Sequence, residues 1–179
     1  SCNFKITKIL ALELSKLFLE VIVANDFDSS ALKILKKKKN LRLIDASNYL
    51  INDGLKHVSA SNEILIQSED LKKFTTKNFK IVSKRKPSTK EMKNLIFAFN
   101  VCRYVKSNAI VLVSNETTTG IGSGQPSRLD SCKIAINKMK KFLKTNENLV
   151  AASDAFFPFV DGMEKLVQAG VQAIIQPSG

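Results

Sequence analysis

The sequence predicts an α/β fold, and three observations carry that prediction. Segments with apolar residues at helical spacing alternate with short buried runs: "ITKILALELSKLFLE" precedes "VIVA", and "DSSALKILKKKKN" precedes "LRLID". Such alternation favours a parallel or mixed sheet covered by helices. A chain of 179 residues that is 44% hydrophobic and 25% charged is globular in composition and long enough to bury a core, as one domain or two small ones.

In order along the chain, 6–20 predicts a helix and 21–24 a buried strand. Residues 28–40 predict a second helix, with Asp and Ser as caps at its start, and 41–45 a second strand. Residues 46–86 are less regular, with a strand at 63–67, a short helix at 68–74 and a strand at 79–83. The connector "KRKPST" (84–89) leads through Pro87 into a helix capped by Ser88 or Thr89. The boundary falls there, giving subdomains 1–86 and 87–179. The second holds an amphipathic helix (90–107) and strands 109–114 and 117–123 joined by a tight Asn115-Glu116 turn. A helix (125–144), a strand (148–153), a helix (160–170) and a strand (171–179) complete it.

The formal net charge of +12 invites a nucleic-acid partner. Nearly all of that charge is lysine, dense only in "KKKK" (36–39), and the guanidinium groups that do most base reading are scarce. No specific nucleic-acid partner is expected. No apolar run reaches the roughly 18 residues that span a bilayer, and "SCNFKITKIL" lacks the apolar core and cleavage site of a signal peptide. Three scattered cysteines (Cys2, Cys102, Cys132) argue for a reducing, cytoplasmic setting, and no CxxC pair suggests zinc.

Three loops carry chemistry. "KSNAI" (106–110) puts Asn108 where a long helix hands over to a core strand. Its amide suits a carboxamide or carbonyl, and Asn equally suits a helix C-cap. "GIGSGQPSR" (120–128) sets three glycines at alternate positions before Gln125, Ser127 and Arg128. The loop fits an anion held on backbone N–H groups, to which Arg128 adds its charge, or a corner that needs small residues. "ASDAFFPFVDG" (152–162) follows a strand and spends three aromatic rings on a segment that Pro158 keeps from being strand or helix. At strand ends of one sheet these loops would converge on one crevice, with phenylalanine faces against a flat ring and Asp161 accepting from ring N–H groups. A satellite hydrophobic cluster is the other reading. His57, the lone histidine, reads as an exposed loop residue, although Lys56-His57 has the composition of an acid–base unit.

The stretches "EVIVA", "ALKILKKKKNLRLI", "KSNAI", "GIGSGQPSR", "ASDAFFPF" followed by "DGM", and "AIIQPSG" together resemble the transformylase half of the bifunctional AICAR transformylase/IMP cyclohydrolase family, in family order over nearly the whole chain. The resemblance implies two cytidine-deaminase-like subdomains with α/β/α layers and mixed sheets, and active sites across a homodimer interface. It implies formyl transfer from 10-formyltetrahydrofolate to the 5-amino group of AICAR. By motif, Glu20, Asn108 and Phe156 would contact AICAR, while Arg128, Leu129 and Asp161 would face the folate. Some relatives hold a potassium ion where this chain has Ser107 and Asp154, although Val105 and Ala109 lack the hydroxyls seen in some of them; zinc is not expected. The family's catalytic Lys-His motif has no counterpart here, since Lys56-His57 is followed by Val-Ser-Ala-Ser, and Val160 replaces the arginine usual after "FFPF". The chain is therefore expected to be a transformylase fragment, inactive alone. The alternatives are a non-catalytic nucleotide- or folate-binding module and a lysine-rich RNA-binding domain.

Overall fold

The computed structural model describes residues 1–49, 54–72, 74–142 and 147–178. It forms two compact units, Ser1–Leu71 and Lys72–Gly179.

The first unit opens with a strand that periodicity missed, β1 (Cys2–Ile6), because only Ile6 of its five residues is buried. Thr7 then caps α1 (Lys8–Ser15), so the helix begins two residues later than its apolar spacing suggests and stops well before residue 20. Strand β2 (Val21–Phe27), helix α2 (Ser29–Leu35) and strand β3 (Arg42–Asp45) follow. The strands pair in parallel in the order β1-β2-β3. Ile6, Ile22, Ala24 and Phe27 pack with Ala11, Ala31 and Leu35 of the helices. Next along the chain comes a hairpin, β4 (Leu55–Ala60) against β5 (Glu63–Ser68), whose residues are exposed on both faces.

Two expected elements do not form. Residues 69–72 do not continue as a helix, and Lys73 of the expected 68–74 segment lies outside the described residues. Residues 79–83 join no sheet: Phe79 turns inward, its ring edge-on to that of Phe99 at 5.4 Å, whereas Val82 is exposed. The segment is a strap anchored by one aromatic ring on a helix.

The second unit is a three-layer sandwich. Its mixed sheet runs β7-β6-β8-β9, from β6 (Ile110–Ser114), β7 (Thr117–Gly122), β8 (Val150–Ser153) and β9 (Ala173–Ile175). Of its neighbours only β8 and β9 are parallel. Helix α3 (Thr89–Cys102) covers one face through Leu95, Ala98 and Cys102 over Val111, Val113, Val150 and Ala152. Helices α4 (Arg128–Phe142) and α5 (Val160–Gln168) cover the other through Cys132, Ala135, Ile136, Met139 and Leu166 over Ile110, Leu112 and Ala151. Because β6 is buried on both faces, it reads as a continuous apolar run rather than an alternation. The layering agrees with the α/β/α arrangement that the resemblance implies. Helix α3 ends at Cys102, short of the expected 107. The last two residues of the 125–144 helix and Gly179 of the final strand and turn lie outside the described residues.

Ser88 caps α3 with Glu91 in a capping box: the Glu91 N–H donates to Ser88 Oγ at 3.2 Å, and the Ser88 N–H donates to Glu91 Oε2 at 2.6 Å. Arg85 forks onto the same carboxylate at 2.7 and 3.1 Å and also donates to the Gln172 carbonyl at 2.8 Å, tying the strap to the approach to β9. Glu91 is 3% exposed. The Arg85 bond, with the Ser88 bonds against the opposing effect of burial, holds its carboxyl at about 2, below the ordinary 4.5. A depressed folded value contributes stability above the unfolded pKa that is lost as pH falls through the folded one. We therefore expect the protein to lose on the order of 3 kcal/mol from this group between about pH 4.5 and 2. Urea unfolding of the wild type and Glu91→Gln across that window checks this: the two curves should converge toward low pH, and curves that stay parallel would exclude the Glu91 carboxylate as the cause.

Candidate functional site

Strand β6 runs antiparallel to both β7 and β8, so its start lies at the same end of the sheet as their ends: Ile110 pairs with Gly122 on one side and Ser153 on the other. The "KSNAI", "GIGSGQPSR" and "ASDAFF" loops therefore converge, and β9, parallel to β8, brings Gln176 to the same end.

At their meeting point, Asn108 donates through Nδ2 to the carbonyls of Gln125 (2.9 Å) and Pro126 (3.0 Å). Its Oδ1 accepts from Arg128 Nη2 at 2.8 Å. Arg128 Nη1 donates to Asp154 Oδ1 at 2.5 Å and to Ser153 Oγ at 3.1 Å. Asp154 Oδ1 also accepts the Ala109 N–H at 3.0 Å, and the Ser131 hydroxyl donates to the Asn108 carbonyl at 2.7 Å. The Arg128 and Asp154 side chains are only 13% and 14% exposed. Burial pushes the Asp154 carboxyl up, but the Ser107 hydroxyl, the Ala109 N–H and Arg128 together outweigh it and hold the carboxyl below its usual range.

This geometry sorts the expectations. Asn108 is not simply a helix cap, because α3 ends at Cys102 and the amide ties two loops together. The glycines answer to packing: a Cβ at Gly120 or Gly122 would run into the α4 backbone at Ala135 or Ser131. An anion at Arg128 would share the guanidinium with Asp154. Ser107 and Asp154 do adjoin, as a cation site requires, but the Asp154 carboxylate already faces a guanidinium, an N–H and a hydroxyl. Among the described residues, no group of three or more His, Cys, Asp and Glu side chains is placed to hold a metal.

The aromatic loop 154–159 is neither helix nor strand. Phe157 turns inward, its N–H donating to Gln176 Oε1 at 3.0 Å and its ring 6.0 Å from the Arg128 guanidinium carbon. Phe156 stays 46% exposed. Leu129 is half-buried in the first turn of α4, and Asp161, in the first turn of α5, is exposed and accepts the N–H of Gly162 at 2.7 Å. Glu20 belongs to the other compact unit, exposed just before β2, with its carbonyl accepting the Arg42 N–H. His57 lies in strand β4 rather than a loop, opposite Ile66, while Lys56 lies opposite Gln67. Neighbouring strand residues point to opposite faces, so the two side chains do not form an acid–base pair. Burial pushes the Cys102 thiol up to about 12 and the Cys132 thiol up to about 11, so neither is a ready nucleophile.

Sequence reading missed Ser131, Ser153 and Gln176. Ser131 had a signal, lying one turn after Arg128 on α4. Gln176 stands in the "AIIQPSG" stretch, but nothing local points to its partner, which comes from a loop 19 residues away. A separate apolar cavity of about 480 Å³ beside β9 is lined by Phe79, Val82, Met92, Met163 and Ile174 among others, and shares only Gln176 with the cluster just described.

The family described as "AICARFT/IMPCHase bienzyme" matches residues 1–138. The bifunctional purine biosynthesis protein PurH of Aquifex aeolicus is 43% identical over 177 residues, covering 99% of this chain and 34% of that protein. The PurH of Ligilactobacillus salivarius is 41% identical over 179 residues (99% of this chain, 35% of the relative), and that of Buchnera aphidicola 45% over 166 residues (92% and 32%). The chain thus spans about a third of the length of the curated relatives it matches.

Proposed function

The chain belongs to the AICARFT/IMPCHase bienzyme family, and from that premise we propose that it is part of an AICAR formyltransferase, which moves a formyl group from 10-formyltetrahydrofolate to the 5-amino group of AICAR in a cytoplasmic, homodimeric enzyme that also has IMP cyclohydrolase activity. The observation that carries the reading is the convergence of Asn108, Arg128 and Asp154 beside the Phe156 loop. The amine of AICAR is a weak nucleophile because its lone pair is delocalised into the ring, so the reaction depends on orientation and a placed base. In this proposal Glu20, Asn108 and Phe156 contact AICAR, Asp161 and Leu129 contact the folate, and Arg128 acts at the folate side while bound to Asp154. The residues supply orientation rather than the base, since Lys56 and His57 face apart.

The test is formyl transfer by the purified 179-residue chain and by the full-length protein that contains it. We expect turnover from the full-length protein and none from the chain alone. Turnover by the 179 residues would mean that a base lies among them. A full-length protein that binds AICAR and folate but transfers nothing would overturn the reading.

A further inference from the structure

We propose that the outer edge of β5 pairs with β5 of a second copy of this chain, antiparallel about a two-fold axis at Leu65, so that the two hairpins make one continuous sheet. The contact goes beyond the formyltransferase reading and does not rest on it, because it follows from the strand and not from the site. Among the described residues, β4 and β5 pair only with each other. A lone two-stranded hairpin is marginal in water and needs a further strand or a packed face to be stable. Here neither face is packed: Leu55, Val58, Ile64, Leu65 and Ile66 are all exposed. An open apolar edge invites pairing, and native proteins usually block one with lysine, proline or a bulge. Strand β5 carries none of these, whereas β4 carries Lys56.

The hairpin register selects the partner. Ser61 and Asn62 form the turn, so the closing pair Ala60–Glu63 exchanges hydrogen bonds and the ladder alternates from there. Leu65, opposite Val58, therefore turns its N–H and C=O toward β4, whereas Ile64 and Ile66 turn theirs to the free edge. A second copy brought up antiparallel about Leu65 sets Ile64 against Ile66 of that copy, each with backbone groups facing the other. The side chains match as well. A two-fold axis normal to the sheet preserves its faces, so the isoleucines meet on one face and the two Leu65 side chains on the other. Glu63 then meets Gln67 rather than a second Glu63, because "EILIQ" has the same pattern from either end. A symmetric contact requires that self-complementarity. Strand β4 lacks it: the same operation about Val58 sets His57 against Ser59 and Lys56 against Ala60.

The experiment introduces single cysteines into the full-length protein, oxidises with oxidised glutathione, and reads covalent dimer on non-reducing gels against the unsubstituted protein. Leu65→Cys places two thiols opposite each other at a non-hydrogen-bonded pair, with Cα atoms about 4.5 Å apart and within reach of a disulfide. Val58→Cys lies one strand further out in each copy, which puts its thiols about 14 Å apart, three strand spacings. Both side chains are exposed, so neither change opens the core, and thermal midpoints confirm folding. Leu65→Cys should link about tenfold faster than Val58→Cys or more. A second pair of variants needs no oxidant. Leu65→Lys and Leu65→Glu each set like charges face to face, whereas an equimolar mixture sets opposite ones. By sedimentation, the mixture should dimerise about fivefold more tightly than either variant alone. Equal linking at the two positions, or a mixture no tighter than its components, overturns the proposal. So does a folded Leu65→Cys that does not link, the result expected if another segment of the same polypeptide lies along β5.

Discussion

Gly122→Ala is expected to destabilise the second unit by about 3 kcal/mol or more, the upper part of the range for an overpacked core. The added Cβ would overlap the Ser131 carbonyl oxygen and lie 2.6 Å from its carbon and 2.8 Å from its Cα. These are backbone atoms of a helix, so no side-chain rotation relieves them; α4 must move off β7. Ser131 is also the residue whose hydroxyl holds the Asn108 carbonyl, so the displacement reaches the polar cluster. Gly124→Ala is the control. Its φ of +67° makes the substitution strained, but the nearest atom to its Cβ is in the flexible Lys106 side chain at 3.9 Å, and the cost should be about 1 kcal/mol. Urea or thermal unfolding of the full-length protein should show Gly122→Ala well below Gly124→Ala. Equal effects would mean that α4 yields freely and that the close approach is not a constraint.

Glycines of that kind mark the limit of what was legible in the sequence. The β6-β7 hairpin was legible, because its flanking runs are rich in β-branched residues and Asn115-Glu116 makes the tight turn between them, both at positive φ (50° and 52°). The capped start of α3 was equally legible, since Ser88 and Glu91 stand at capping-box spacing. Strand β1 was hidden by its composition: "CNFKI" buries one residue and is held by pairing with β2. The strand expected at 79–83 misled for the opposite reason, its apolar residues serving to pack Phe79 on α3 rather than to enter a sheet. At the site, motif residues were visible one at a time, but their partners were not. Nothing local in "GQPSR" says that Arg128 faces Asp154, 26 residues away. The same glycines that suggest a ligand loop are required by helix packing, and sequence alone could not separate those uses.

Arg128→Met should be the most damaging single change in the cluster, because it leaves the Asp154 carboxylate in a nearly buried place without its counter-ion. Breaking such a pair from one side costs about 3–5 kcal/mol, and here Asn108 Oδ1 and Ser153 Oγ also lose a donor. Arg128→Lys should recover only part of this loss, since one ammonium cannot reproduce a planar fork that reaches Asn108, Ser153 and Asp154 together. The double variant Arg128→Met with Asp154→Leu separates charge from shape, with urea unfolding as the readout. With the unpaired carboxylate gone, it should be more stable than Arg128→Met alone, while still short of the wild type because the Ala109 N–H then lacks its acceptor. A double variant no more stable than Arg128→Met would show that the cost comes from lost packing of Arg128, including its contact with the Phe157 ring, rather than from the stranded charge.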